Sequence, residues 1–217
     1  MRLLLACKSC AAHAHYDRMI RETWGKNVRD ADLKFFKGRG SNPHVLYDVG
    51  LDCDDSYVGL PEKTWAILRW SVSNNYDYTF LFDTDTFVMP GRLLETKFRE
   101  HDIYGLFNGE VGKPCVSDGM WAWVSGGVGY WLSRRAAELV VKNPPTHWAE
   151  DCSVGQALGP ALASGGMRGA TDGNYGWHHD HEPYRCSVTK HYCAQGYRRA
   201  FDVQWMAAHY RYNVLGR

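Results

Sequence analysis

The chain has 217 residues, with 25 Lys and Arg against 24 Asp and Glu and a formal net charge of +1. This length predicts one domain over residues 1–217, and the even charge balance argues against a dedicated nucleic-acid binder, which carries a basic excess. The longest N-terminal apolar run, Leu3-Leu4-Leu5-Ala6, is too short for a signal-peptide core or a membrane span, so the expectation is a soluble protein or soluble fragment, with a cytoplasmic setting the simpler inference.

Arg2 to Cys7 is a short strand of the buried type. Tyr16, Met19, Ile20, Thr23 and Trp24 then recur at helical spacing, with Gly25 as the stop. Leu33–Phe36 and Val45–Tyr47 are further strands, separated by a Gly- and Pro-containing loop. Pro61 opens a helix with Trp65, Leu68 and Val72 on one face, closed by Asn74-Asn75. Tyr78 to Phe82 is the next strand, Pro90 starts a helix to about Arg99, and Ile103 to Phe107 is strand-like. Residues 108–124 are irregular; Ser125–Gly129 is a flexible turn before Tyr130-Trp131-Leu132. Ser133 caps a helix to about Lys142, Pro144-Pro145 breaks it, and a short helix covers about Trp148 to Leu158. The remainder shows no clear periodicity. Alternating strands and helices in the first half predict an α/β protein with a mostly parallel sheet.

Seven cysteines leave at least one thiol unpaired within the chain. Cys7 and Cys10 form a single CxxC and are expected at or near the core. Bridges between Cys186 and Cys193, or from Cys115 to another cysteine, stay open.

The most informative segment is Phe80–Val88, in which Asp83 and Asp85 interrupt an apolar, β-prone run. On a continuous strand both would face the same side. Two carboxylates held that close need a cation, and oxygen ligands suit a hard divalent ion. Such an ion can hold a diphosphate, which points to a nucleotide-activated substrate. Glu150-Asp151 opens a helix, where acidic residues also complement the helix dipole; in the functional reading one of them is a general base. Trp177-His178-His179-Asp180-His181-Glu182 clusters imidazoles beside carboxylates, and one imidazole joining Asp85 favours manganese. His13 and His15 are expected at the surface. Gly126 and Gly127 allow close backbone approach to a ligand. Trp121, Trp123 and Trp177 are candidate sugar platforms, against the plainer reading of packing.

Several ordered segments resemble the β-1,3-galactosyltransferase-like glycosyltransferases, a family that includes the fringe and core-1 synthase relatives. Arg18-Met-Ile-Arg-Glu-Thr-Trp-Gly25 resembles the family's opening motif, and Asp55-Ser-Tyr-Val-Gly-Leu-Pro-Glu-Lys-Thr64 its second. Phe82-Asp-Thr-Asp-Thr-Phe-Val88 resembles its Asp-Asp-Asp-x-Phe-Val signature, with Thr84 in the middle place. Gly126–Ser133 and Glu150–Gly155 match two later motifs, so the resemblance covers about residues 1–160. It implies a GT-A fold, an inverting transfer from a UDP-sugar to a hydroxyl of a glycan or glycoconjugate acceptor, and Mn²⁺ (or Mg²⁺). It further implies Asp85 as the principal metal ligand, Asp83 near the nucleotide ribose or the metal, His179 or His181 as another metal ligand, and Asp151 as catalytic base. Asp83, Thr84, Asp85, Arg21, Lys63, Gly126 and Gly127 would line the donor site. The rival readings are a retaining Asp-x-Asp glycosyltransferase, a non-catalytic nucleotide- or carbohydrate-binding protein, and a metal-dependent phosphohydrolase.

Overall fold

The computed structural model describes residues 1–41, 47–115, 119–178, 188–192 and 196–216. In chain order its elements are β1 (Leu3–Lys8), α1 (Ala14–Glu22), β2 (Asp32–Lys37), β3 (Asp48–Gly50), α2 (Leu60–Ser73), β4 (Tyr78–Asp83), β5 (Thr86–Val88), α3 (Pro90–Glu95), β6 (Ile103–Gly105), β7 (Phe107–Asn108), β8 (Trp123–Val124), β9 (Tyr130–Ser133), α4 (Arg134–Lys142), α5 (Glu150–Ala163), β10 (Gly169–Thr171), β11 (Tyr175–His178), β12 (Thr189–Tyr192) and α6 (Asp202–Val214).

All six residues of β1 are buried, as a strand covered on both faces requires. It lies between β2 and β4, parallel to each, in a seven-stranded sheet of order β10-β6-β9-β4-β1-β2-β3. Only β9 runs against its neighbours, β4 and β6. The side-chain alternation of the strands sorts the core into two layers. Leu3, Leu5, Cys7, Phe80 and Phe82 face α1 and α6. Leu4, Ala6, Leu81, Tyr130 and Leu132 face α2, α4 and α5. The expected mostly parallel α/β sheet is thus present.

The caps explain where helices start and stop. The Ser133 hydroxyl accepts from the Ala136 amide at 3.2 Å and starts α4. Pro61 sits in the first turn of α2, and Asn75, with φ 59°, turns the chain out of its end. α1 stops at Thr23, earlier than Gly25, because its hydroxyl bonds back to the Met19 carbonyl and the chain tightens into a 3₁₀ turn. The helix from Pro90 ends at Glu95: Thr96 is extended, and residues 97–100 form a separate 3₁₀ turn. α5 starts at Glu150, later than expected, and runs on through Pro160 to Ala163. Burial of Val154 and Leu158 holds it, and Gly155 and Gly159 let it approach Trp123 and Trp121, whose side chains would collide with any Cβ there. Those two tryptophans are therefore packing residues.

Three departures matter for the site. Phe80–Val88 is not one strand: β4 ends at Asp83, Thr84-Asp85 form a turn, and β5 follows. The third strand lies at Asp48–Gly50, after Tyr47; residues 45 and 46 of the expected one fall outside the described residues. The C-terminal part, which showed no period, supplies β12, paired antiparallel with β5 and parallel with β11, and the helix α6.

Candidate active site

A cleft of about 480 Å³ opens beyond the C-terminal ends of β1 and β4, where ligand sites of open α/β sheets collect. Its wall contains Asp83, Thr84, Asp85, Lys63, Gly126, Gly127 and Asp151, so seven residues expected at the site come together there. Lys8, Trp148, His191 and Arg199, which the sequence did not single out as site residues, join them, as does His13, which was expected at the surface.

Asp85 is buried. Its Oδ1 lies 3.1 Å from His191 Nε2, and its Oδ2 2.9 Å from the Arg199 guanidinium. Burial pushes this carboxyl up, but the hydrogen bond and charge of His191, with the charge of Arg199, outweigh that and hold it below the usual carboxylate range. Asp83, at the end of β4, accepts from Lys8 Nζ at 3.1 Å. Asp83, Asp85 and His191 each bring a ligand atom within 4.8 Å of the others. Two carboxylate oxygens and one imidazole nitrogen form a donor set that fits a divalent ion, of manganese type more than calcium. The turn at Thr84-Asp85, rather than strand alternation, aims the two carboxylates together. His191 arrives because β12 pairs with β5 in the register His191↔Thr86. His179 and His181 lie outside the described residues, as do the side chains of Trp177 and His178.

Gly127 makes room for this imidazole. A Cβ built there would sit 2.3–2.9 Å from three atoms of the His191 ring, and the Gly127 carbonyl is pinned by the Thr86 hydroxyl at 2.6 Å. Gly127→Ala is expected to displace His191 and to weaken any divalent-ion binding at this group by about tenfold or more, read by calorimetry, with the far-UV circular dichroism unchanged. Wild-type affinity in this variant would remove His191 from the ion site.

Lys8 ends β1 fully inside the protein and bridges Asp83 and Glu150. Burial works against its charge, yet Asp83 and Glu150 outweigh it and raise its pKa above the ordinary lysine value. Glu150 also accepts from the Tyr130 hydroxyl at 2.8 Å and from Thr64 at 3.3 Å, so its oxygens are committed to the fold. Lys8→Met strands two carboxylates, one of them buried, and is expected to cost about 3–5 kcal/mol, measured by urea unfolding; a loss below about 1 kcal/mol would show the bridge to be dispensable.

Asp151 differs from its neighbour. Its Oδ2 accepts from the Gly126 amide at 3.0 Å and its Oδ1 from the Cys152 amide at 2.8 Å, which fixes its orientation while it faces the cleft. Burial, then the nearby Glu150 charge, raise its pKa above the carboxylate norm. It is an oriented carboxylate with a strengthened appetite for a proton.

Lys63 lines the cleft, but its ammonium is held by the Ser9 carbonyl at 2.7 Å and Asp55 at 2.5 Å. Asp55 in turn accepts from the Gly38 amide and the Ser41 hydroxyl. Lys63 thus ties α2 to the loop after β1. Arg21 does not line the cleft. It reaches Asp48 at 3.3 Å and covers the Phe35 ring, and Asp48 continues through Lys37 to Asp17. Its part of the opening motif therefore fastens α1 to β2 and β3. His15 is exposed as expected, whereas His13 is half-buried in the cleft wall, its Nδ1 2.9 Å from the Thr84 hydroxyl.

No protein-family model matches the chain, and no curated protein matches it in sequence. Solved structures do. The chain is similar to a glycosyltransferase involved in the glycosylation of the major capsid of PBCV-1, at 12% identity and TM-score 0.51 over 95% of this chain and 99% of that one. It is similar to the inositol-1-phosphate CTP transferase from T. maritima at 12% identity and TM-score 0.53 over 99% and 98%. It is also similar to the glycosyltransferase GlyE of Streptococcus pneumoniae TIGR4 at 9% identity and TM-score 0.53, over 94% of this chain and 60% of that one. The fold is GT-A. Glycosyltransferases and a nucleotidyltransferase share it, so the chemistry has to be argued from the cleft.

Proposed function

We propose that the protein is an inverting, metal-dependent glycosyltransferase of the β-1,3-galactosyltransferase-like kind. It would move a hexose or N-acetylhexosamine from a UDP-sugar to a hydroxyl of an acceptor glycan. The observation that carries this reading is the pairing, in one cleft, of the Asp83–Asp85–His191 group with the oriented, proton-seeking Asp151.

Asp83, Asp85 and His191 would hold the divalent ion, Mn²⁺ or Mg²⁺, which when bound neutralises charge on a diphosphate. Asp151 would accept the proton of the acceptor hydroxyl as its oxygen bonds to the anomeric carbon. The bond from that carbon to the diphosphate oxygen breaks, and UDP leaves with the electron pair. A single displacement from the face opposite the leaving group inverts the configuration. Lys8 and Glu150 keep Asp83 and the start of α5 in place, while the Gly126 amide aims Asp151.

A screen of UDP-sugars with Mn²⁺, with and without chelator, tests the reading, and proton NMR of the product decides the anomer. Chelator-sensitive cleavage with an inverted product is expected. A retained anomer would indicate the retaining alternative, and phosphate release with no sugar transferred would indicate a phosphohydrolase.

The pH profile offers a further check. A base works only when ionised, so the rate falls as pH drops through the Asp151 pKa, and the upward shift of that pKa places the acid limb above the ordinary value of about 3.9. Asp85, held low, stays charged through the same window. A limb at or below the ordinary carboxylate value would remove Asp151 as the base.

A further inference from the structure

We propose that Trp148 is the platform on which the acceptor sugar stacks, with the indole setting one hydroxyl of that sugar at Asp151; this rests on the transferase reading above. Trp148 is 66% exposed and lines the cleft. Exposed tryptophan on a mobile loop would carry no message, but this segment is tied down. The Thr146 and His147 amides donate to the Ser153 hydroxyl at 3.2 and 2.9 Å. That hydroxyl donates to the His147 carbonyl at 2.9 Å, and the Ala149 amide donates to His147 Nδ1 at 3.0 Å. Ser153 is itself buried on α5. The indole also rests against the His147 ring, with centroids 5.4 Å apart. The helix that carries Asp151 therefore also holds, through its Ser153 hydroxyl, the segment of Trp148, three residues earlier.

The chemistry of the pair selects a sugar. An indole offers a broad apolar face and little else, and a pyranose presents C–H bonds on its flat side and hydroxyls around its rim. Stacking satisfies the flat side and leaves a rim hydroxyl for the carboxylate, the proximity that general-base transfer requires. Tyr57, also exposed in the cleft, stands on the loop before α2 and not on the element that carries Asp151.

The test compares wild type with Trp148→Ala and Trp148→Phe. With an accepted donor and glycan, Trp148→Ala is expected to raise the acceptor KM about tenfold or more and leave the donor KM unchanged; Trp148→Phe, which keeps a flat ring, should restore most of the loss. An unchanged acceptor KM in the Ala variant overturns the proposal. A second arm needs no turnover: saturation-transfer NMR of methyl β-galactoside, methyl β-glucoside, methyl α-mannoside and a Ser/Thr-rich peptide, each with protein, Mn²⁺ and UDP. Glycoside signals in wild type that vanish in Trp148→Ala support the platform. Signals that survive in the variant, that are absent from wild type for every glycoside, or that come from the peptide alone overturn it. Should no UDP-sugar be cleaved by wild type, the transferase reading fails, while the NMR arm still decides Trp148.

Discussion

Replacing Asp151 with Asn is expected to lower the rate of sugar transfer by about 10²–10⁴-fold while donor affinity stays within about twofold. Charge and proton affinity set this effect. Asn keeps the shape and an oxygen that can accept from the Gly126 amide, and gives up only the acceptor that faces the amide of its neighbour Cys152. What it loses is the ability to take a proton from the acceptor hydroxyl. Only kcat should suffer, since the base acts in the transition state and not in donor binding. Neighbouring Glu150 cannot substitute, because Lys8, Tyr130 and Thr64 already hold its oxygens. Single-turnover transfer by the variant near the wild-type rate would place the base elsewhere.

Replacing Asp85 with Ala is expected to reduce Mn²⁺-dependent UDP binding by more than about 100-fold, with little effect in the absence of the ion. Asp85 belongs to the candidate ligand group and is also the carboxylate partner of the Arg199 guanidinium. Its loss would remove a ligand and leave the Arg199 guanidinium without that carboxylate beside the ion position, and both effects act in the same direction. Calorimetry with UDP in the presence and absence of Mn²⁺ separates them from a general loss of fold, as does an unaltered melting temperature. Equal ion-dependent affinity in wild type and variant would show that Asp85 is not a ligand.

Much of the fold was legible because its signals are local. β1 is continuous apolar sequence, α2 has a periodic face behind Pro61, and α4 begins at a serine cap that bonds as such residues do. The acidic pair, the glycine pair and Asp151 were legible for a similar reason: each is an unusual residue type at an element boundary. Long-range pairing was not legible. His191 becomes a candidate ligand only because β12 joins β5, more than a hundred residues away in sequence, and the dense histidine run before it drew attention instead. Its one local sign was the β-prone stretch Val188–Tyr192. Lys8 gave a similar partial sign, a lone charge closing a buried strand, whose meaning depends on Asp83 and Glu150 arriving beside it. Arg21 shows the reverse case: it belongs to a motif read as functional, yet its charge is used to join α1 to β3.

Asp83, Asp85 and His191 would form one ion site serving a nucleotide diphosphate. Titrating Mn²⁺ into the wild-type protein in the presence of UDP, followed by electron paramagnetic resonance of the free ion, tests it most directly. One ion should bind per chain with UDP present, and each of Asp83→Ala, Asp85→Ala and His191→Ala should lose that binding while remaining folded. Binding that persists undiminished in all three variants, or no uptake of Mn²⁺ by wild type with UDP, would contradict the account.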